Sequence, residues 1–340
     1  MPKVELHCHL DGSLRPSTML ELAREQGVAL PRSDATALRA YMRADGTASL
    51  EEYLTRFEAT IAVLQTPDGI ERVAYELVED VSLENVRYIE VRNAPGLNTR
   101  SGLTLDEVMR ATLYGLARAE GRFGVQARFI LCSLRHWAPD VSLRMAELAV
   151  RYKDEGVVAF DLAGAEMGHL AAAHVEAFRY ARAHGLHVTC HAGEGAGAGS
   201  IAQALYLCGA ERIGHGVRAA EDPILMQYLA EQQIPLEMCP TSNVQTCAVE
   251  SYGEHPLRCY YDAGIPVTIN TDNRLISGTT LTDEFLHVAH HLGFTLAELA
   301  VCVEHACRGA FLPEHEREQL LLRVRGELRG DAWRPRESQE

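Results

Sequence analysis

The order of hydrophobic and polar residues along the 340-residue chain predicts an alternation of strands and helices. Short apolar runs of strand length recur, and amphipathic stretches of helical spacing separate them. The segment 86–92, in which apolar and polar residues alternate, is typical of a strand. The pattern predicts eight strands, at about 4–9, 86–92, 125–132, 157–162, 186–190, 211–214, 234–238 and 265–270.

Strands separated by helices pair in parallel, so eight such units predict an α/β fold, a closed (β/α)8 TIM barrel. A helical insertion is expected after strand 1: a first helix that begins at Arg15-Pro16-Ser17 and runs to about Gln26 is followed by a helical segment over roughly 34–64. A doubly wound open sheet is the alternative, but it would place the polar motifs described below at one switch point, whereas they come from strands one, five, six and eight. Extra C-terminal helices are expected at Leu281–Leu292, Leu296–His305 and Glu314–Val324.

No stretch of linker composition divides the chain. We therefore expect one barrel domain over residues 1–328. Residues 329–340, in which Arg, Pro, Glu and Ser dominate, are expected to form a flexible tail.

The charge balance argues against polyanionic partners. The chain has 32 Lys and Arg against 47 Asp and Glu, a net charge of −15, which disfavours nucleic acid and anionic membranes.

No apolar run approaches the ~20 residues of a membrane span, and no secretory segment follows Met1, so a cytoplasmic protein is expected. Nine scattered cysteines without a Cys-x-x-Cys pair indicate neither a disulfide framework nor a cysteine zinc site. The oligomeric state is left open.

The sequence His7-Cys8-His9-Leu10-Asp11-Gly12 carries the first chemical signal. In a strand, His7 and His9 share one face, roughly 6.5–7 Å apart, and two imidazoles at that separation can bind one cation. Three further motifs each follow an apolar run and would lie on the same rim of a barrel, where the C-terminal strand ends converge. They are His191-Ala192-Gly193-Glu194, Gly214-His215-Gly216 and Asn270-Thr271-Asp272-Asn273.

Four of these side chains form a candidate zinc site: His7, His9, His191 and Asp272. Three imidazole nitrogens and one carboxylate oxygen suit zinc and leave a position open for water, although other divalent ions accept the same ligands. Zinc lowers the pKa of bound water toward about 7, which makes it a nucleophile at neutral pH. We expect one Zn²⁺ per chain, with Asp272 also receiving the proton of that water.

Glu194 lies three residues after His191 and cannot easily share its metal, so it is the candidate general acid. That role requires a raised pKa. His215, between two glycines, is expected to hydrogen-bond the nucleophile and stabilise its developing charge. The segment 239–243, which follows strand seven, is assigned no chemistry.

Over roughly residues 3–312, these motifs together resemble the adenosine deaminases of the amidohydrolase superfamily. The resemblance implies that water activated by zinc attacks C6 of a purine, that Glu194 protonates N1, and that ammonia leaves. It implies that His7, His9, His191 and Asp272 bind zinc and that His215 is the electrostatic partner of the nucleophile. It also implies that the backbone N–H of Gly164 donates to N3 and that His9 contacts the substrate.

The resemblance also bears on the substrate. In nucleoside deaminases of the family, the aspartate that corresponds to Asp11 binds the ribose 5′-hydroxyl, whereas relatives acting on free adenine tend to carry glutamate. Asn273 stands where many members have a second aspartate that contacts N7, and its amide can donate without an added proton. The implied reaction is the deamination of adenosine and 2′-deoxyadenosine, a step of purine salvage.

Three alternatives remain open. The substrate could be free adenine or a 5′-extended adenosine such as aminodeoxyfutalosine. A non-catalytic nucleoside-binding relative should have lost Glu194, His215 or a metal ligand, and this chain retains them all. Deaminases of the cytidine type are unsupported because their His-x-Glu and Pro-Cys-x-x-Cys pattern is absent.

Overall fold

Eight parallel strands form the centre of the computed structural model, which describes residues 1–330. Each strand pairs with the next in chain order, and an isolated parallel bridge between Cys8 and Asp272 joins the last strand to the first. The predicted barrel is therefore confirmed. The strands are β1 (Lys3–His9), β2 (Val86–Asn93), β3 (Gln126–Leu134), β4 (Val157–Ala163), β5 (His187–Ala192), β6 (Arg212–His215), β7 (Leu236–Met238) and β8 (Val267–Ile269).

Helices surround this barrel. Within the described residues, none has the length and apolar composition needed to cross a membrane. The α-helices are α1 (Pro16–Gln26), α2 (Ala35–Met42), α3 (Leu50–Leu54), α4 (Phe57–Val63), α5 (Pro67–Ser82), α6 (Leu105–Phe123), α7 (Pro139–Arg151), α8 (Val175–Ala183), α9 (Ala198–Gln203), α10 (Pro223–Glu231), α11 (Pro240–Gln245), α12 (Leu257–Asp262), α13 (Leu281–Leu292), α14 (Leu296–Gly309) and α15 (Glu314–Leu328).

The helical insertion after β1 and the three C-terminal helices are present. The stretch 34–64 is not continuous, however, because the chain forms three short helices there. Asp34 and Ser49 each accept a backbone N–H through their side chains and so begin a new helix, while Gly46 adopts a positive φ between them. Of the predicted tail, residues 331–340 lie outside the described part of the chain.

Strands β5 and β6 extend further than their apolar patterns predict. His191 lies inside β5 and His215 ends β6, because parallel pairing continues as far as Ala192 opposite His215. Pairing depends on the backbone, so a polar side chain does not end a strand that its neighbour still supports.

The barrel interior contains a buried ion-pair network. Arg212 on β6 pairs with Glu237 on β7, where Nε lies 2.6 Å from Oε1, and also pairs with Glu90 on β2. Its Nη1 donates to the carbonyl oxygen of Gly309 at 2.6 Å, and its guanidinium lies 3.6 Å from the centre of the Phe311 ring. All three charged side chains are buried. Buried charges are tolerated only when they are paired and hydrogen-bonded, as they are here.

Replacing Arg212 should therefore destabilise the fold strongly. Arg212→Met leaves two buried carboxylates without this cation, and removing one partner of a buried pair costs about 3–5 kcal/mol. We expect a large fall in the midpoint of thermal unfolding, followed by circular dichroism. Arg144→Met, which breaks an exposed pair with Asp140 on α7, is the matched control and should leave the midpoint nearly unchanged. Equal midpoints for the two variants would contradict the structural role of the network.

Candidate active site

The four predicted metal ligands lie together at the C-terminal end of the barrel. Backbone hydrogen bonds place Asp272 between the first and last strands, because its N–H donates to His7 and its carbonyl oxygen accepts from His9. One potential ligand atom from each of His7, His9, His191 and Asp272 lies within 4.8 Å of the others. Nε2 of His9 is 3.1 Å from Nε2 of His191, and Oδ1 of Asp272 is 3.3 Å from Nε2 of His7.

Two carboxylates orient the histidine rings. Nδ1 of His7 lies 2.9 Å from Oε2 of Glu237, and Nδ1 of His191 lies 3.0 Å from Oδ2 of Asp161. A carboxylate that accepts the Nδ1 proton leaves the Nε2 lone pair free for a cation. Arg92 bridges the two carboxylates, with Nη1 3.1 Å from Asp161 and Nη2 2.9 Å from Glu237.

The protonation states suit a divalent cation. Burial lowers the pKa of His191 and holds that of His9 well below its usual range. Burial alone would raise the pKa of Asp272, but its interactions with His7 and the other histidines hold it well below the usual value. Neutral imidazoles and an ionised carboxylate are the forms that bind metal. Among the described residues, the buried Nε2 of His7 has no hydrogen-bond partner, so this donor set fits an ion such as zinc.

Glu194 lies in the loop after β5, with its carboxyl group buried beside the histidines. Its Oε2 is 3.5 Å from Nε2 of His215, and its Oε1 has no hydrogen-bond partner among the described residues. Burial, followed by repulsion from Asp272 and Glu166, raises the pKa of Glu194 well above its usual value. The shift favours the protonated form, the state in which a carboxyl group can act as an acid.

Two side chains of the segment 239–243 contact this site, although sequence reasoning assigned the segment no chemistry. Ser242 donates to Oδ2 of Asp272 at 2.7 Å. Nδ2 of Asn243 donates to Nδ1 of His215 at 3.0 Å, and burial lowers the pKa of that histidine well below its usual range. The neutral ring of His215 therefore carries its proton on Nε2, the nitrogen nearest Glu194.

His215 and Asp272 both have left-handed backbone conformations, with φ of 62° and 59°. Such a conformation costs free energy in a residue other than glycine and persists only where surrounding contacts enforce it. Here the contacts are those of the neighbouring strands and of the segment 239–243.

A cavity of about 260 Å³ adjoins the ligand cluster. The insertion helices α3 and α4 cover it with apolar side chains, a role that the helical pattern alone did not indicate. All predicted site residues except His7, which is buried beside the cluster, line this cavity: His9, Asp11, Gly164, His191, Glu194, His215, Asp272 and Asn273. The lining from the insertion is Leu50, Tyr53, Leu54, Phe57, Glu58 and Ile61.

Asp11 and Arg100 are two polar groups of the cavity wall that lie outside the candidate ligand cluster. Asp11 is buried, its Oδ1 has no hydrogen-bond partner among the described residues, and burial raises its pKa to about 7. Among the described residues that line the cavity, Arg100 is the only arginine or lysine. Its guanidinium pairs with both carboxylate oxygens of Glu58, at 2.9 and 3.3 Å. The wall therefore offers a carboxyl group that can accept a hydrogen bond and a cation that is already neutralised.

Asn273 is held against the wall by its neighbours. Its Nδ2 donates to the hydroxyl of Tyr53 at 2.9 Å, and its Oδ1 has no hydrogen-bond partner. A Cβ at Gly12 would lie 1.8 Å from that oxygen, so only glycine fits at this position. A contact from Asn273 to a purine ring would have to use the second N–H of its amide. Gly164, with φ of 92°, lines the cavity just after β4.

Sequence reasoning missed the residues that hold the ligands in place. Asp161 and Glu237 have a detectable signal, since each is an acidic residue inside an otherwise apolar strand and so must find a buried partner. The sequence does not identify that partner. Ser242 and Asn243 carry no such signal, because short polar residues are ordinary in a turn after a strand.

Comparison with known proteins agrees with this geometry. A sequence model of the adenosine deaminase family matches residues 2–326. The adenosine deaminase of Vibrio vulnificus is 41% identical over 322 residues, which cover 94% of this chain and 97% of that protein.

Three solved structures share the fold. The adenine deaminase of Arthrobacter aurescens has a TM-score of 0.88 at 30% identity and covers 96% of this chain and 99% of its own. A Burkholderia ambifaria amidohydrolase with bound Zn has a TM-score of 0.89 at 27% identity, and the match covers 97% of this chain and 91% of that one. The N6-mAMP deaminase of Arabidopsis has a TM-score of 0.85 at 29% identity, and the match covers 96% of this chain and 98% of that one. The family match and the extent of these similarities show that the chain belongs to the adenosine deaminase family of hydrolytic deaminases.

Proposed function

We propose that this enzyme deaminates adenosine and 2′-deoxyadenosine to inosine and 2′-deoxyinosine with release of ammonia, using one zinc ion per chain. The observation that carries the proposal is the convergence of three histidine nitrogens and one carboxylate oxygen beside a cavity that a buried glutamate with a raised pKa also lines. The name of the Vibrio vulnificus relative supports the reaction, and the zinc in the Burkholderia ambifaria structure supports the metal. We further propose that residues 1–328 act as one domain.

His7, His9, His191 and Asp272 would hold the zinc ion. The bound ion would lower the pKa of a water molecule and so supply a nucleophile at neutral pH. Asp272, ionised before reaction, would accept a proton from that water. His215 would donate its Nε2–H toward the attacking oxygen and stabilise the charge that develops there.

Glu194 would give its proton to N1 as the C6–O bond forms, since its raised pKa favours the protonated carboxyl group and this group lines the cavity. The C6–N bond then breaks, and the amino group leaves as ammonia. The two protons of water balance the reaction: one replaces the proton that Glu194 lost, and the other becomes the third proton of ammonia.

The cavity wall favours a nucleoside over a nucleotide. A 5′-hydroxyl can donate to the unpartnered Oδ1 of Asp11, whereas a 5′-phosphate at the same place would repel that carboxyl group once it is ionised. Among the described lining residues, the single arginine is already paired with Glu58, and burial lowers the pKa of His136 so that it remains neutral. No unpaired cation of this wall is therefore available for phosphate.

Free adenine is the second candidate substrate. The similarity to the Arthrobacter aurescens adenine deaminase favours it, with a TM-score of 0.88. It would leave Asp11 buried without a partner, at a cost of about 1–3 kcal/mol. That cost makes adenosine the preferred proposal.

The metal proposal predicts about one zinc ion per purified chain, measured by inductively coupled plasma mass spectrometry. His7→Ala should lose most of the metal because it removes a buried ligand. His287→Ala, which changes a histidine stacked on Tyr252 away from the cluster, is the control and should keep full metal content. Retention of metal by His7→Ala would contradict the assigned ligand.

Glu194→Gln should retain zinc and lose turnover by about 100-fold or more, because the amide cannot give its proton to N1. Turnover is followed through loss of the adenosine absorbance band, and metal content is measured on the same sample. Activity near the parental level would show that another group is the acid.

The Asp11 contact predicts discrimination between adenosine and 5′-deoxyadenosine. The parent enzyme should prefer adenosine by about 10- to 100-fold in kcat/KM, since a buried polar group is left unpaired by the other substrate. Asp11→Ala should remove most of that preference. A parent enzyme that deaminates free adenine faster than adenosine would overturn the role given to Asp11.

A further inference from the structure

The carboxylate of Glu166 accepts hydrogen bonds from four consecutive backbone N–H groups. Its Oε1 lies 2.9 Å from the nitrogen of Gly193, and its Oε2 lies 2.8, 2.6 and 2.9 Å from those of Glu194, Gly195 and Ala196. Glu166 follows β4, and its side chain is 1% exposed. One buried carboxylate therefore binds the whole loop that carries the proposed acid.

The position of Glu166 is itself fixed from other elements. The Ser200 hydroxyl on α9 donates to Oε1, and Nη2 of Arg135 lies 3.7 Å from the same oxygen. Arg135 in turn donates to the backbone carbonyl oxygens of His191 and His169. The carboxylate is thus held between the loop after β3, the ligand strand β5 and helix α9.

The loop needs such an anchor. The segment 193–197 reads Gly-Glu-Gly-Ala-Gly, and glycine loses more conformational freedom on ordering than any other residue. Successive N–H groups that point to one side form a concave site for an anion, and here the anion is a side chain of the same protein. Without it, N–H groups in a largely buried loop would lose their acceptor.

The side chain of Glu194 has few contacts of its own. Its Oε1 has no hydrogen-bond partner, and Oε2 lies at 3.5 Å from the nearest nitrogen of His215. Its place beside the cavity is therefore set by its backbone, and Glu166 holds that backbone.

We propose that Glu166 is a positioning residue, which holds the carboxyl group of Glu194 at the protonation site of the substrate by binding the backbone of residues 193–196. This inference rests on the proposed function of Glu194 as the acid. The negative charge of Glu166 also opposes ionisation of Glu194, after burial and Asp272.

The central test is Glu166→Gln, assayed with adenosine. An amide has a single acceptor oxygen, so either Gly193 or the three following N–H groups must face an NH₂ group. We expect kcat to fall by about 10- to 100-fold, as for a misplaced catalytic group, with KM within about twofold of the parent. Peptides that cover residues 193–197 should exchange their amide hydrogens faster, as measured by mass spectrometry.

Glu221→Gln is the matched control. Glu221 also binds a backbone N–H near this loop, that of Ala198, but contacts none of residues 193–196 through its carboxylate. It should leave kcat unchanged. If Glu166→Gln unfolds the protein, Ser200→Ala is tested in its place, because it removes one hydrogen-bond donor that orients Glu166. Ser200→Ala should also lower kcat, but by a smaller factor.

A double variant tests whether Glu166 acts through Glu194. In the Glu194→Gln background, Glu166→Gln should change the residual kcat by less than about twofold, because the group that it positions can no longer donate. A full additional loss there, or a parental kcat in the single variant, would overturn the inference. Failure of the parent to deaminate adenosine, or parental activity in Glu194→Gln, would instead contradict the proposed function.

Discussion

The arrangement of the site depends on buried ionic interactions that surround the histidines of the candidate metal site. Arg92 neutralises Asp161 and Glu237, and these two carboxylates turn His191 and His7 toward a common centre. Each of these charges would be costly to bury alone, and together they satisfy one another. The pairing of these charges thus fixes the orientation of the rings and brings the potential donor atoms close together.

The same network extends from the site toward the other end of the barrel. Glu237 faces both Arg92 and Arg212, and Arg212 continues to Glu90. Barrel interiors are usually filled with branched aliphatic side chains, whereas this one places charged groups between its strands. The charged residues that fill the barrel interior also orient the candidate metal ligands. Folding of the barrel therefore also arranges the site.

Strands and loops contribute differently to the chemistry. The strands supply His7, His9, His191 and His215 from a rigid framework. The proposed acid instead comes from a glycine-rich loop, which is ordered by the carboxylate of Glu166. Apolar side chains of the helical insertion cover the cavity, and an electrostatic contact is stronger beside apolar groups than in water. Precision in this site thus has two sources: strand pairing for the ligands and a buried carboxylate for the acid.

Local sequence by itself determined the alternation of helix and strand, the eight-stranded barrel, and the four side chains that converge as potential metal ligands. These follow from short-range periodicity: a two-residue repeat places His7 and His9 on one face, and strand ends in a barrel share a rim. Tertiary structure alone decided the partners of Asp161 and Glu237, the contacts of Ser242 and Asn243, and the anchoring of Glu194 by Glu166. Those contacts join residues far apart in the chain, and their choice depends on which side chains the closed barrel brings within hydrogen-bond distance, a property that no local pattern encodes.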